Sequence, residues 1–464
     1  MKEAAIRVAD RLRRSNHVLI ASHIDADGIS AAGIASLALD YVGIDNSVKF
    51  TKKLDAEFVG ELKESELVWF TDLGSGSLDI LGGLDCVITD HHVPSSAQPV
   101  SKKGGKTLFD YADEPPVEIL QVNPHLADKD GAGDISGAGT AYLVAKALDQ
   151  ELRCLSYLAV VGAVGDMQDR ANGRLMGTNR DILADGEKAG VLEVIEDLNL
   201  FGRETRPVWK MLQYSGDVKL PGITDDYEGS MGFFMELEID LKRGEEWRRW
   251  VDLRKAEKRQ VISALARLAP REELIGEVYI FPNEKEGTPL HEAKEFSTLL
   301  NSCGRYDSPE LGLAVCKGDR KESLDLALGL RRGHKKQLVE SIEVMLDVGV
   351  QELDNIQHVH VGGMIRDTIV GTVAGMLLGG GKVNPSKPIF AMAESDDGIK
   401  VSGRGTKELV DRGLDLSEVM NRVTEQLGGV GGGHNIAAGA TIQPDQVDEF
   451  LDLADRLVGK QLKV

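Results

Sequence analysis

The sequence predicts an α/β protein: an N-terminal domain built on a parallel sheet, a helical and charged middle with a long connecting helix, and a smaller C-terminal α/β domain. Three observations predict it. Over the first 170 residues short β-rich runs alternate with helical patterns, which implies a mostly parallel sheet covered on both faces. Residues 195–285 change character, becoming highly charged and helical in pattern, with every Trp except Trp69. A second alternation of strand and helix patterns then fills the last part of the chain.

The elements follow in order. Residues 17–22 (HVLIAS) read as a buried strand and 28–42 as an Ala-rich helix. Further strands are expected at 47–51, 67–71, 86–89 and 119–122, and helices at 137–149 and 153–165. The run 321–347 reads as one long helix despite an internal Gly. After it come a strand at 357–361, a helix at 367–378, strands at 388–392 and 398–402, a helix at 416–427, a strand at 439–442 and a final helix at 445–459. The expected division is 1–190, 191–285, 286–350 and 351–464.

Composition narrows the function classes. The chain is 42% hydrophobic and 28% charged, ordinary for a soluble globular protein and unlike a disordered, collagen-like or coiled-coil chain. Its net charge of −21 makes it a poor non-specific binder of duplex phosphate. Any nucleic-acid site must be local, made by a few basic groups or by metal. Cys86, Cys154, Cys303 and Cys316 form no C-x-x-C pair, which fits a reducing compartment. The N-terminus has no apolar signal region, and the uncharged stretch 368–381 is too short to span a bilayer. A cytoplasmic protein without membrane contact is expected.

The carboxylates sit at strand ends. Strand 17–22 runs into His23-Ile24-Asp25-Ala26-Asp27-Gly28, strand 67–71 into Asp72, and strand 86–89 into Asp90-His91-His92. Helix 153–165 ends at Asp166-Met167-Gln168-Asp169. All strand C-termini of a parallel sheet open on one edge, where ligands bind. Four carboxylates there, Asp25, Asp27, Asp72 and Asp166, could not all ionise without compensating charge. Two divalent cations supply it. Oxygen ligands with one or two imidazoles and no thiolate suit Mn²⁺, with Mg²⁺ the alternative, better than structural zinc. Such a pair can activate a bridging water and stabilise both oxygens of a displacement at phosphorus. For any one Asp, turn formation or helix capping is the competing reading.

At this point four segments, His23-Ile24-Asp25-Ala26-Asp27-Gly28, Thr71-Asp72, Thr89-Asp90-His91-His92 and Gly165-Asp166, resemble in order the four motifs of the DHH phosphoesterase superfamily. Ser402-Gly403-Arg404 and the run 428–439 (GGVGGGHNIAAG) resemble the DHH-associated C-terminal domain. Asn301-Ser302-Cys303-Gly304-Arg305 resembles the N-x-x-G-R element of RecJ-type nucleases, and the whole pattern is similar to archaeal RecJ-like exonucleases of the GINS-associated type. The resemblance implies a DHH catalytic domain and a DHH-associated domain facing it across a groove, joined by a long helix. It implies hydrolysis of single-stranded DNA or RNA from an end, with GINS or the replicative helicase as partner. By motif position Asp25, Asp27, Asp72, His91 and Asp166 are the metal ligands, Asp72 bridging. Asp90 orients an imidazole, His92 sits by the scissile phosphate, and His23 joins the catalytic group with its role open. Two other functions remain in view: a short-oligonucleotide or cyclic-dinucleotide phosphodiesterase, and a replisome scaffold. Inactive scaffold relatives would have lost ligands, whereas every motif position here is filled.

Substrate contacts are expected at three places. Ser136, Gly137 and Gly139 open a helix whose N–H groups could face a phosphate, although helix-start glycines more often serve close packing. The glycine-rich loop 428–433, including Gly432 and Gly433 and followed by His434, could form an amide nest. Asn301 belongs with Arg305 and Arg404, whose guanidinium groups could fork onto phosphate oxygens. The basic run 330–336 could track a strand or simply be a solvated helix face. His358 and His360 read as structural, and Cys303 as packing.

Overall fold

The structure is a computed structural model that describes residues 1–95, 119–170, 172–216 and 218–462, without the side chains of residues 334–336. It divides into two units, Met1–Arg331 and Arg332–Val464.

The first unit opens with α1 (Lys2–Leu12), β1 (His17–His23), α2 (Ala26–Val42), β2 (Asp45–Thr51), α3 (Ala56–Glu61), β3 (Val68–Thr71), β4 (Cys86–Thr89) and β5 (Leu120–Val122). Then come α4 (Gly137–Leu148), α5 (Ser156–Gly165) and α6 (Asn179–Ala189). The sheet order is β2-β1-β3-β4-β5, and every pair is parallel. Strand side chains alternate between faces, and the core splits accordingly. Val18, Ile20, Trp69 and Val87 join the cluster containing α2, α4 and α5, while Leu19, Ala21, Phe70 and Ile88 pack with Val59 and Leu62. Both faces are therefore covered, which is why the strands read as unbroken apolar runs. Ser22 pairs with Thr71, and Thr71 with Thr89, so β1, β3 and β4 end side by side. Helix α1 was not foreseen, and the start of the expected helix 153–165 is a tighter 3₁₀ turn over Gln150–Leu155.

The middle region adds strands to the helices expected for 191–285. It contains β6 (Glu193–Leu198), α7 (Val208–Gln213), α8 (Tyr227–Glu236), β7 (Lys242–Arg243), β8 (Glu246–Trp247), α9 (Lys255–Leu265), α10 (Arg271–Leu274) and β9 (Ile275–Ile280). β6 and β9 frame it as an antiparallel pair, from Glu193 opposite Ile280 to Leu198 opposite Ile275. The sequence EVIEDL carries three acidic residues, which strands disfavour, and its partner lies far along the chain. Trp250, Phe234, Leu212 and Val261 give this region a core of its own. Then come α11 (Ala293–Arg305), α12 (Pro309–Cys316) and α13 (Glu322–Val348). The division between the two units falls within α13.

The second unit contains β10 (Gln351–Glu352), β11 (Gln357–His360), α14 (Asp367–Gly379), β12 (Ile389–Ser395), β13 (Gly398–Arg404) and α15 (Lys407–Asp411). It ends with α16 (Leu416–Leu427), β14 (Val430–Gly433), β15 (Ala437–Ile442) and α17 (Val447–Leu462). Its sheet, β10-β11-β12-β13-β15-β14, is mixed, with β11 and β12 parallel. Alternation again sorts the core: Phe390 and Met392 pack with α16 and α17, Ile389 and Ala391 with α14. Among the described residues no helix is long and apolar enough to cross a membrane.

Candidate metal centre

The aligned strand ends deliver the acidic side chains together. Asp25 caps α2, its carboxylate accepting the Gly28 N–H at 2.9 Å. Asp27, in the first turn of α2, accepts from the Gly137 and Ala138 backbone N–H groups at 2.7 and 3.0 Å. Asp72 leaves β3 with φ 60, a left-handed conformation that non-glycine residues rarely adopt, and its N–H donates to Thr89 O. Asp90 accepts from Ser75 N–H at 2.9 Å and from His91 N–H at 2.7 Å, and binds His92 Nδ1 at 2.8 Å. His91 donates Nδ1–H to the Gly131 carbonyl at 2.8 Å. In the neutral ring this contact leaves the Nε2 lone pair free, and Nε2 lies 3.4 Å from Asp72 Oδ1 and 3.8 Å from Asp27 Oδ2.

Three overlapping groups have ligand atoms within 4.8 Å of one another: Asp72 with His91 and His92, Asp72 with His23 and Asp25, and Asp27 with His91 and Asp166. Asp72 and His91 each belong to two groups, so all seven residues form one cluster.

The electrostatics ask for cations. Burial, then the charges of Asp27 and Asp25, push the Asp72 carboxyl well above its ordinary range. Burial raises Asp166 to about 7 against the pull of His91. Burial disfavours charge on His91, but Asp166, Asp27 and Asp90 outweigh it and raise the imidazole to about 9. His92 reaches about 9 in the same way, through its hydrogen bond to Asp90. Asp25 and Asp90 are held well below the usual carboxylate range because His23 and His92, respectively, outweigh their burial. Protonated imidazoles thus do in part what bound cations would do. Asp72 Oδ1 is the sharpest sign. It is buried and, among the described residues, has no hydrogen-bond partner. An anionic oxygen left that way is costly unless a cation meets it. The donor set, carboxylates with imidazole and no thiolate, fits a hard divalent cation.

The expected substrate contacts fare differently. Ser136 caps α4 by accepting from Gly139 N–H, and the anion at that helix start is the Asp27 carboxylate rather than a phosphate. The helix N-terminus favours an anion of either kind. Gly139 provides space, since a Cβ there would come 2.5 Å from Ile135. Asn301 accepts the Ala26 N–H at 2.9 Å, so it braces the Asp25–Asp27 turn. Arg305, on the same helix, is half-buried; burial pulls its guanidinium below its ordinary value while Asp25 opposes this. In the second unit Arg404 ends β13 and donates to Gly403 O. The expected loop 428–433 is corrected: Gly432 and Gly433 lie in β14, paired with Gly439 and Ala438. A Cβ on Gly431 would come 2.9 Å from Met420 O and Thr424 Oγ1, so the glycines let the strand lie against α16. His434 is exposed, and its N–H donates to Ala437 O. Of the basic run, Arg331 is taken up by Glu295 and Thr205, and the side chains of residues 334–336 lie outside the described residues. Gln168 and the Gly131 carbonyl were missed. Gln168 carries no charge to mark it in the sequence, and a backbone carbonyl leaves no side-chain signal.

The chain is thus an α/β protein whose parallel sheet carries, at its C-terminal edge, an acid–imidazole cluster that could hold a metal ion, with a second, mixed-sheet unit. Residues 200–275 match the DHH-CID domain and residues 354–460 the DHHA1 domain. The chain is 28% identical to an uncharacterized protein of Methanocaldococcus jannaschii over 97% of this chain and 95% of that one. It is also 28% identical to the single-stranded-DNA-specific exonuclease RecJ of Thermus thermophilus, over 40% of this chain but only 27% of RecJ. Crystal structures of RecJ from Thermus thermophilus in complex with Mn²⁺ and with Mg²⁺ superpose with TM-scores of 0.59 and 0.53 at 18% and 16% identity. Each covers 99% of this chain, which spans 54% and 52% of theirs. The chain thus carries two domains of the DHH type, DHH-CID and DHHA1, and has a fold similar to that of the RecJ crystal structures.

Proposed function

We propose that the chain is a metal-dependent exonuclease that hydrolyses phosphodiester bonds of single-stranded DNA or RNA with two divalent cations, Mn²⁺ foremost and Mg²⁺ as the alternative. The observation that carries this reading is buried Asp72, a member of two groups of potential ligands, whose Oδ1 has no hydrogen-bond partner among the described residues. Asp25, Asp27, Asp72, His91 and Asp166 would hold the cations. When bound, such a pair supplies Lewis-acid stabilisation of charge at phosphorus and a nucleophilic water at neutral pH. The protein's own groups do the rest. The α4 N-terminus fixes Asp27, and Gly131 fixes the His91 ring. Asp90 holds His92 through Nδ1 while leaving its side chain 60% exposed, so the other ring nitrogen can donate to a phosphate oxygen. Arg305, with Asp25 nearby, would meet a phosphate of the strand.

End-labelled single-stranded DNA and RNA, digested with Mn²⁺ or Mg²⁺, test the proposal. Stepwise release by the wild-type chain and its loss in Asp72→Ala are expected; activity retained in that variant refutes the site. Cleavage confined to short oligonucleotides would assign the chain to the short-oligonucleotide or cyclic-dinucleotide enzymes instead. We assign GINS to the region that includes the DHH-CID match, which carries its own core. Failure of the full chain to retain purified GINS refutes that part.

A further inference from the structure

We infer that Gln168 is a positioning residue of the metal centre, holding Asp166 and His91 in fixed relation through a single amide; the inference rests on reading the cluster as a cation site. Gln168 Nε2 donates to Asp166 Oδ2 at 3.0 Å and to the Gly131 carbonyl at 3.0 Å. The same carbonyl accepts His91 Nδ1 at 2.8 Å. Both hydrogens of the amide are therefore spent on the centre. One steadies a carboxylate, and the other steadies the carbonyl that sets the His91 ring.

The amide cannot turn over cheaply. Its Oε1 accepts from Asn179 Nδ2 at 2.8 Å, at the start of α6. A flipped amide would set nitrogen against nitrogen there, and oxygen against both Asp166 and the Gly131 carbonyl. Gln168 is only 4% exposed, so it acts through its neighbours rather than on a substrate. The backbone is shaped for this contact. Met167, between Asp166 and Gln168, has φ 60, and the Gln168 N–H closes α5 onto Ala163 O at 3.0 Å. A non-glycine residue in that region is strained, and such strain persists where surrounding structure enforces it. Hydrogen bonds behind ligands orient them and set metal affinity.

Mn²⁺ titration of the full chain, followed by electron paramagnetic resonance, tests the inference alongside melting of the metal-free protein. Gln168→Met should weaken Mn²⁺ binding by roughly tenfold to a hundredfold. Gln168→Glu, which sets a carboxylate against Asp166, should weaken it at least as much. Asn179→Ala leaves both donors but frees the amide, and should weaken binding less. A purely structural Gln168 would lower the metal-free melting temperature and leave Mn²⁺ affinity of the folded protein unchanged. Unchanged affinity in Gln168→Met, with the wild type binding normally, overturns this inference alone. Absence of Mn²⁺ binding by the wild type overturns the cation-site reading and this inference with it. If Gln168→Met does not fold, Asn179→Ala decides: unchanged affinity there overturns the inference.

Discussion

Gly137 donates its backbone N–H to Asp27 Oδ2 at 2.7 Å while standing so close to Asp72 that a Cβ would come 2.4 Å from Asp72 Oδ1. Gly137 is not among the residues with positive φ, so the requirement is space and not backbone conformation. One residue thus fixes one acidic side chain and limits where another can go. Gly137→Ala should push Asp72 and Asp27 out of register. A fall in Mn²⁺ affinity of at least roughly tenfold is expected, with a stability cost of about 1–3 kcal/mol from overpacking. Calorimetric Mn²⁺ titration and denaturant unfolding measure the two separately. Wild-type affinity in the variant would show that the close approach does not shape the centre.

The same residue shows what the sequence discloses and what it hides. Ser136-Gly137-Ala138-Gly139 allows an anion at a helix start, since short polar caps and glycines expose backbone N–H groups, although close packing is the commoner use of such glycines. It does not say that the anion is Asp27, which arrives from a distant strand end. The clustering of Asp25, Asp72 and His91 was legible because side-chain type and strand position together define one sheet edge. The glycines of β14 suggest a loop because glycine is permissive, and only the packing of Gly431 against α16 explains them as a strand. β6 was hidden because its acidic residues suit a helix and its partner β9 is remote. Gln168 was hidden because its role depends on a carbonyl.

Protonation gives a second test. His91 is raised to about 9 and Asp166 to about 7 in the folded protein. For both groups the folded state holds the proton more tightly than the unfolded chain does. Stability from His91 is complete below its ordinary value of 6.5 and is lost as pH rises through about 9. Stability from Asp166 is complete below 3.8 and is lost as pH rises through about 7. Asp25 and Asp90, held low, act only at more acid pH. The metal-free protein should therefore melt at lower temperature toward about pH 9 than near pH 6, by roughly 1–2 °C per kcal/mol lost. Saturating Mn²⁺ should flatten the profile, because a cation replaces the protons. Scanning calorimetry over this range checks it; metal-free stability rising with pH would contradict the charge balance described for the cluster.

A third prediction separates the middle region from the centre. Glu257 accepts from the Arg254 N–H at 2.7 Å, closing a capping box on α9, and from Arg248 Nη2 at 2.6 Å. The Arg248 contact, outweighing burial, draws Glu257 down to about 2. Glu257→Ala removes the cap and leaves the nearly buried Arg248 guanidinium without this carboxylate. A local loss of about 2 kcal/mol is expected. Hydrogen exchange should speed up across residues 200–275 while Mn²⁺ affinity stays at the wild-type value. A matching loss of Mn²⁺ affinity would mean that this region supports the centre directly.

Asn301 offers a test of substrate contact against support. Its Oδ1 accepts the Ala26 N–H at 2.9 Å, between Asp25 and Asp27. Gly304, one turn later, is pressed so closely on Ile24 that a Cβ would come 1.8 Å from the carbonyl oxygen. α11 therefore lies directly on the turn that carries two of the proposed ligands. If Asn301 braces that turn, Asn301→Ala should lower Mn²⁺ affinity and kcat roughly tenfold to a hundredfold on single-stranded substrate. KM should change little, because no substrate group is lost. Asn301→Asp keeps the acceptor, and its cost should come mainly from the added charge beside Asp25. A rise in KM at constant kcat and Mn²⁺ affinity would return Asn301 to the strand-binding surface, because only a contact made equally before and during reaction gives that pattern.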